Sequence, residues 1–125
     1  MKRYLIIDDV RSVDQVMGWR LQEQGGDSLV IHLMRTYDEG FAKVFKSLMN
    51  NEPYDILFLD HDLGSAKSGY DLLNHIVDLC FDTQGNANEL FDRLPKTIEC
   101  VSSNPPGRAN IESLVKFIDK TKKGE

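Results

Sequence analysis

Cysteine is scarce in this sequence, because only Cys80 and Cys100 occur and their spacing is not that of a CxxC motif. Two cysteines at irregular spacing exclude a disulfide framework and a zinc-finger pattern, so we expect two reduced thiols in the core. Long apolar runs are also missing. The N-terminal run, Tyr4 to Ile7, is too short for a signal peptide or a membrane span. We therefore expect a cytoplasmic protein that makes no contact with a membrane.

Basic residues are outnumbered, since 15 Lys and Arg face 20 Asp and Glu and the formal net charge is −5. This balance excludes a broad nucleic-acid-binding surface, but it does not exclude a local basic pocket that binds a phosphate. The 125 residues, with a hydrophobic fraction of 41%, suit one compact domain over residues 1–125.

Short apolar runs alternate with amphipathic stretches four times along the chain. We predict strands at residues 4–7, 29–34, 55–59 and 97–101. The predicted helices start at Ser12 and run to Gly25-Gly26, start at Thr36, start at Gly69, lie around Leu90, and contain Ile111 to Ile118. The alternation predicts an α/β fold in which helices cover both faces of a mostly parallel sheet, in three layers.

Acidic residues follow the first and third predicted strands. Asp8-Asp9 ends the first strand, and Asp60-His61-Asp62 ends the third. The carboxyl ends of parallel strands meet at one edge of a sheet, so these groups are expected to lie together. Carboxylates gathered there would repel one another unless a hard cation, Mg²⁺ or Mn²⁺, binds them. Helix capping and turn formation are the alternatives, but the joint placement of Asp8, Asp9 and Asp60 favours a metal site.

The segment "SSNPPGRAN" follows the fourth predicted strand. Ser102, Ser103 and Asn104 offer polar side chains just before a helix start, where free N–H groups attract anions. Pro106 is expected at the first helical position. Loop formation alone is an equally simple explanation of the two serines.

Two arginines, Arg11 and Arg108, are close enough in sequence to reach the same edge, and arginine suits phosphate. An arginine in the position of Arg108 is more often a solvated helix residue than a ligand. His61 belongs to the predicted site, whereas His32 and His75 are expected to be structural.

The motifs "YLIIDD", "YDILFLD" and "GYDLL" resemble the receiver domain of two-component response regulators. The resemblance implies a flavodoxin-like sheet with strand order 2-1-3-4. It also implies magnesium at Asp8, Asp9 and Asp60, with the carbonyl of Asp62 as a further ligand and Ser102 as the site hydroxyl. Receivers have a fifth strand that follows a site lysine, and the sequence shows neither.

A closer resemblance rests on "DDVR", "LDHDLG" and "SSNPPGRAN", which are similar to the cyclic-phosphate processing receiver-like family. That family is associated with RNA ends bearing 2′,3′-cyclic phosphate and with RNA repair. The site residues that it implies are Asp8, Asp9, Arg11, Asp60, His61, Asp62, Ser102, Asn104 and Asn110. Many members carry a histidine where this chain has Val101. If that histidine is the catalytic acid, this chain must use His61 or be inactive.

Three functions remain open. The first is a metal-dependent phosphoesterase acting on a phosphorylated small molecule or an RNA end. Its catalytic residues would be Asp60, His61 and Asp62, and its substrate-binding residues Arg11, Ser102, Ser103, Asn104, Arg108 and Asn110. The second is a response-regulator-type phosphoacceptor at Asp60, and the third is a catalytically silent module that binds a protein partner. Composition does not distinguish a bacterial from a viral source, but a short stand-alone form would suit a phage.

Overall fold

The computed structural model describes residues 2–18, 28–82 and 87–122. The strands are β1 (Lys2–Ile7), β2 (Leu29–Met34), β3 (Ile56–Leu59) and β4 (Thr97–Cys100). The helices are α1 (Val13–Met17), α2 (Tyr37–Met49), α3 (Gly69–Asp82), α4 (Ala87–Asp92) and α5 (Pro105–Lys122).

The four strands form one parallel sheet in the order β2-β1-β3-β4, which confirms the predicted fold class and strand order. The two central strands, β1 and β3, are apolar in sequence because helices cover them on both sides. Leu5, Ile6 and Ile7 have no exposed surface, and neither do Leu57 and Leu59. In the part of the chain that the structure describes, β4 forms one edge of the sheet.

Alternation along β1 and β3 divides the core into two clusters. Leu5 and Leu57 belong to the larger cluster, which packs against α2, α3, α4 and α5. Ile6 and Phe58 point to the opposite face and pack against Met17 of α1. This division follows from the two-residue period of a strand.

The first helix begins as predicted. Ser12 and Gln15 form a complete capping box at its start. The helix ends at Met17, where Gly18 adopts φ 52° as the C-cap. The predicted stop at Gly25-Gly26 lies outside the described residues.

The last helix begins at Pro105, one residue before the predicted start at Pro106. Asn104 takes the preceding position, and its side-chain oxygen accepts a hydrogen bond from the Gly107 N–H at 3.2 Å. Both thiols are free, and Cys80 is buried. Among the described helices, none has the length and apolar character needed to cross a bilayer.

Candidate metal centre at the carboxyl edge of the sheet

The register of the two central strands places Asp8 beside Asp60. Ile7 pairs with Leu59 at the last position of the β1–β3 ladder, and the Asp60 N–H donates to the Ile7 carbonyl at 2.9 Å. Because side chains alternate along a strand, the next residue of each strand points to the face that carries Ile6 and Phe58. The two acids therefore leave the sheet side by side, on adjacent strands.

Asp9 completes a cluster of three carboxylates. One oxygen from each of Asp8, Asp9 and Asp60 lies within 4.8 Å of the others. Ligands on opposite sides of a magnesium ion are about 4.2 Å apart, and on a calcium ion about 4.8 Å apart. The three acids are therefore close enough to converge on a single hard cation.

Burial makes the cluster electrostatically unusual. Asp8 has no exposed surface and Asp60 is only 4% exposed. Burial, and secondarily the negative charge of Asp8, raises the pKa of Asp60 to about 6. The Asp62 N–H, 3.4 Å from Asp60 Oδ1, and the Arg11 guanidinium act in the opposite direction. Negative charge at Asp60 is therefore costly even with the Arg11 guanidinium nearby.

Arg11 supplies positive charge from within the chain. Its Nη1 donates to Asp8 Oδ2 at 3.0 Å and lies 3.5 Å from Asp60 Oδ2. The hydrogen bond to Asp8 raises the pKa of Arg11 further. The backbone N–H groups of Val10 and Arg11 donate to the other oxygen of Asp8, at 3.0 and 2.9 Å. Arg11, predicted as a substrate ligand, thus lies among the carboxylates themselves.

Arg35 is a residue near the site that the sequence analysis did not include. The pair Arg35-Thr36 was interpreted as helix capping alone, and Thr36 does accept a hydrogen bond from the Glu39 N–H at 3.2 Å. The Arg35 side chain, however, donates to the backbone carbonyls of Asp8 and Arg11, at 3.3 and 2.6 Å. It ties β2 to the loop that carries the first two acids. The available signal was a cation directly after the strand that neighbours β1.

Two glycines let backbone approach the acids closely. A Cβ on Gly69 would lie 2.0 Å from the Asp60 carbonyl oxygen, so only glycine permits the first turn of α3 to pack there. Gly64 has φ +68°, and a Cβ on it would lie 3.2 Å from Asp9 Oδ2. In the stretch "LDHDLGSAKSGYD", the two glycines therefore let the loop after β3 fold back over Asp60.

His61 and Asp62 form a second polar pair beside the acids. His61 Nδ1 lies 3.1 Å from Asp62 Oδ1, and the Asp62 side chain is 63% exposed. The His61 ring packs against the first turn of α5, where a Cβ on Gly107 would come within 2.4 Å of it. Packing on one side and a carboxylate on one nitrogen define the position of the imidazole.

The segment after β4 is built around Ser102, which is 3% exposed. Its hydroxyl accepts a hydrogen bond from the Asn104 N–H at 3.0 Å, and Asn104 in turn caps α5. Ser103 is exposed. The Val101 side chain packs against the apolar cluster that contains Met17 and Phe58. The backbone of this segment is thus held by its own polar side chains.

The remaining predicted ligands lie on α5. Arg108 donates to the Ser102 carbonyl at 3.2 Å and lines a groove between β4 and α5 with Cys100 and Ile111. Asn110 is exposed on the same helix. Neither residue contacts the acidic cluster in the described structure, and their role in substrate binding stays a prediction.

Comparison with known proteins identifies one family. The family model described as "Cyclic-phosphate processing Receiver domain" matches residues 3–117. No curated protein matches the chain significantly. The match includes every residue of the acidic cluster, Arg11, Arg35 and the segment after β4, so it covers the whole of the candidate site.

Proposed function

We propose that this chain, which belongs to the cyclic-phosphate processing receiver domain family, is a metal-dependent phosphoesterase that opens a 2′,3′-cyclic phosphate on a nucleotide or an RNA end. The observation that carries the proposal is the convergence of Asp8, Asp9 and Asp60 to within 4.8 Å, at an edge that Arg11 also reaches. The family assignment indicates the class of reaction, and the geometry of the three carboxylates supports a bound cation as the group that would promote it.

Asp8, Asp9 and Asp60 would hold Mg²⁺ or Mn²⁺, with the carbonyl of Asp62 as a further ligand. The bound ion would withdraw negative charge from the phosphoryl oxygens and lower the pKa of a coordinated water. Asp8 is already fixed by three donors from Val10 and Arg11, so it would bind the ion with little loss of conformational entropy.

Arg11 has a double role in this proposal. Without a divalent cation its guanidinium pairs with Asp8 and lies 3.5 Å from Asp60, which offsets part of their negative charge. With a cation held by Asp8, Asp9 and Asp60, like charges would repel, so the Arg11 guanidinium would turn outward and its N–H groups would bind the phosphate of the substrate. Arg35 would keep the loop in place during this change, because it binds backbone carbonyls rather than the acids.

The His61–Asp62 pair would move the protons of the reaction. Water adds to phosphorus, one ring P–O bond breaks, and the departing ribose oxygen takes up a proton. Asp62 bonds Nδ1 of His61, which leaves Nε2 as the nitrogen that exchanges a proton with water or the leaving oxygen. The hydroxyl of Ser102 and the amide of Asn104 would bind the outer phosphoryl oxygens.

The test is turnover of nucleoside 2′,3′-cyclic phosphates and of RNA with a cyclic-phosphate end, in the presence of Mg²⁺ or Mn²⁺. We expect monoester product from the wild-type protein and none from Asp60→Asn. His61→Gln should bind the cation normally and lose at least about a hundredfold in rate, the contribution of one general acid or base.

A phosphoacceptor is the competing function, and mass spectrometry separates it from the phosphoesterase. After incubation with acetyl phosphate and Mg²⁺, a phosphoryl adduct on Asp60 without cyclic-phosphate turnover would replace our proposal. Absence of both cation binding and turnover would favour a module that binds only a protein partner.

A further inference from the structure

A second polar pocket lies at the opposite end of the sheet, between the start of β1, the middle of β2 and α2. The residues that matter for its chemistry are Arg3, His32, Lys43, Lys46, Ser47 and Tyr54. Arg3 precedes Asp8 by five residues on the same strand, which corresponds to about 16 Å. The pocket is therefore separate from the acidic cluster.

We propose that this pocket is a binding site for a phosphate dianion, which we call the basic pocket. Arg3, Lys43 and Lys46 bring three positive charges to it, and Glu52 is the single acid in its lining. The whole chain carries a net charge of −5, so this concentration of cations opposes the overall balance. In the described part of the chain, no acidic side chain pairs with Lys43 or Lys46. Cations that are held together without acidic partners form a site of positive potential, which attracts anions.

Arg3 is positioned in advance for such a ligand. Its guanidinium lies over the ring of Tyr54, with 4.6 Å from the guanidinium carbon to the ring centroid. It also donates to the carbonyls of Glu52 and Pro53. These contacts occupy one face of the guanidinium and one of its nitrogens, Nη1. The N–H groups on the other two nitrogens are left to bind an anion. Pre-positioning reduces the entropy that is lost on binding.

His32 and Tyr54 form the inner wall. His32 Nδ1 lies 2.7 Å from the Tyr54 hydroxyl, and Tyr54 is 1% exposed. Burial raises the pKa of Tyr54, so the phenol is neutral and can donate its proton to His32 Nδ1. The ring proton of neutral His32 then resides on Nε2, which makes that nitrogen a donor. Burial, together with Lys43, Arg3 and Lys46, lowers the pKa of His32, in agreement with a wall that faces several cations.

The volume limits the size of the ligand. The basic pocket has a volume of about 160 Å³, below the roughly 300–1,000 Å³ of pockets that enclose drug-sized molecules. At about 30 Å³ per molecule this equals the space of about five waters, which accommodates a tetrahedral oxyanion but not a nucleoside. The ligand is therefore inorganic phosphate or the terminal phosphate of a larger molecule that stays outside.

The experiment is a titration with inorganic phosphate in the presence of EDTA, which removes any cation from the acidic cluster. Binding is followed by calorimetry and by the NMR signals of the His32 ring. The test variant is Lys43→Ala/Lys46→Ala. Its matched control is Lys116→Ala/Lys120→Ala, which removes two lysines from α5. We expect saturable binding that the test variant weakens at least about tenfold and the control leaves unchanged, because each lysine donates a charge-assisted hydrogen bond.

A second arm distinguishes the two sources of phosphate. A 5′-phosphorylated RNA oligonucleotide is compared with the same oligonucleotide lacking the phosphate. Binding of the phosphorylated form alone, sensitive to Lys43→Ala/Lys46→Ala, identifies a terminal phosphate as the ligand, and binding of inorganic phosphate only identifies the free ion. If neither binds saturably, or if the test and control variants lose the same affinity, the proposal is overturned. Circular dichroism of both variants confirms that they fold.

Discussion

Replacing Asp60 with asparagine should stabilise the metal-free protein at neutral pH, because it removes a charge from a buried position. Asp60 is 4% exposed, and its pKa is raised from 3.8 to about 6 by burial and by the charge of Asp8. A difference of one pKa unit corresponds to about 1.4 kcal/mol. The charged form of Asp60 therefore lowers the free energy of unfolding by about 3 kcal/mol at neutral pH.

The sign of the pH dependence follows from the same shift. Between about pH 4 and pH 6 the folded protein binds more protons at Asp60 than the unfolded chain does, so stability falls as the pH rises. Below pH 4 the group is protonated in both states and has no effect. The stability advantage of Asp60→Asn over the wild type should therefore grow by about 3 kcal/mol from pH 4 to pH 7.

Urea unfolding in EDTA at a series of pH values measures this difference. Asp78→Asn is the control, because Asp78 is an exposed acid of α3 and its removal should leave the profile unchanged. Adding Mg²⁺ at pH 7 should stabilise the wild type, by about 2.7 kcal/mol at a hundredfold excess over Kd, and should have less effect on Asp60→Asn. Parallel profiles of the wild type and Asp60→Asn would refute the claim that burial and carboxylate repulsion destabilise charge at this position.

Three further substitutions test how the site is held. Arg35→Ala removes two hydrogen bonds to the loop that carries the first two acids, at about 1 kcal/mol each. The Mg²⁺ affinity measured by calorimetry should therefore fall by up to about thirtyfold, and unchanged affinity would argue against this positioning role. Gly107→Ala places a methyl group 2.4 Å from the His61 ring, so turnover should fall while Mg²⁺ affinity is retained, with a stability cost of about 1–3 kcal/mol in urea. Gly69→Ala places a carbon 2.0 Å from the backbone oxygen of Asp60, and its thermal unfolding should show a loss of about 3 kcal/mol or more; a stable variant would mean that α3 can move away.

The architecture was predictable because its causes are local. Tyr4–Ile7 and Ile56–Leu59 are apolar without interruption, as strands covered on both faces must be, and the Ser12–Gln15 capping box marks a helix start within four residues.

The acidic cluster was predictable for a related reason. Two parallel strands that end in acidic residues must place those residues at the same edge of the sheet. Because side chains alternate along a strand, the position of each acid in its strand decides which face of the sheet it points to. The predicted grouping of Asp8, Asp9 and Asp60 is what the structure shows. The second set of ligands was harder, because Arg108 and Asn110 lie on a helix whose rotation about its own axis depends on packing.

The sequence by itself thus determined a parallel α/β sheet with an acidic edge, since strand period, apolar runs and caps act over a few residues. Only the tertiary structure decided that Arg11 lies between Asp8 and Asp60 and that Arg35 reaches across from β2. It alone also gathered Arg3, His32 and Lys43 into a basic pocket. Long side chains from separate segments meet according to strand register and helix packing, and neither of these can be predicted from any single stretch of the chain.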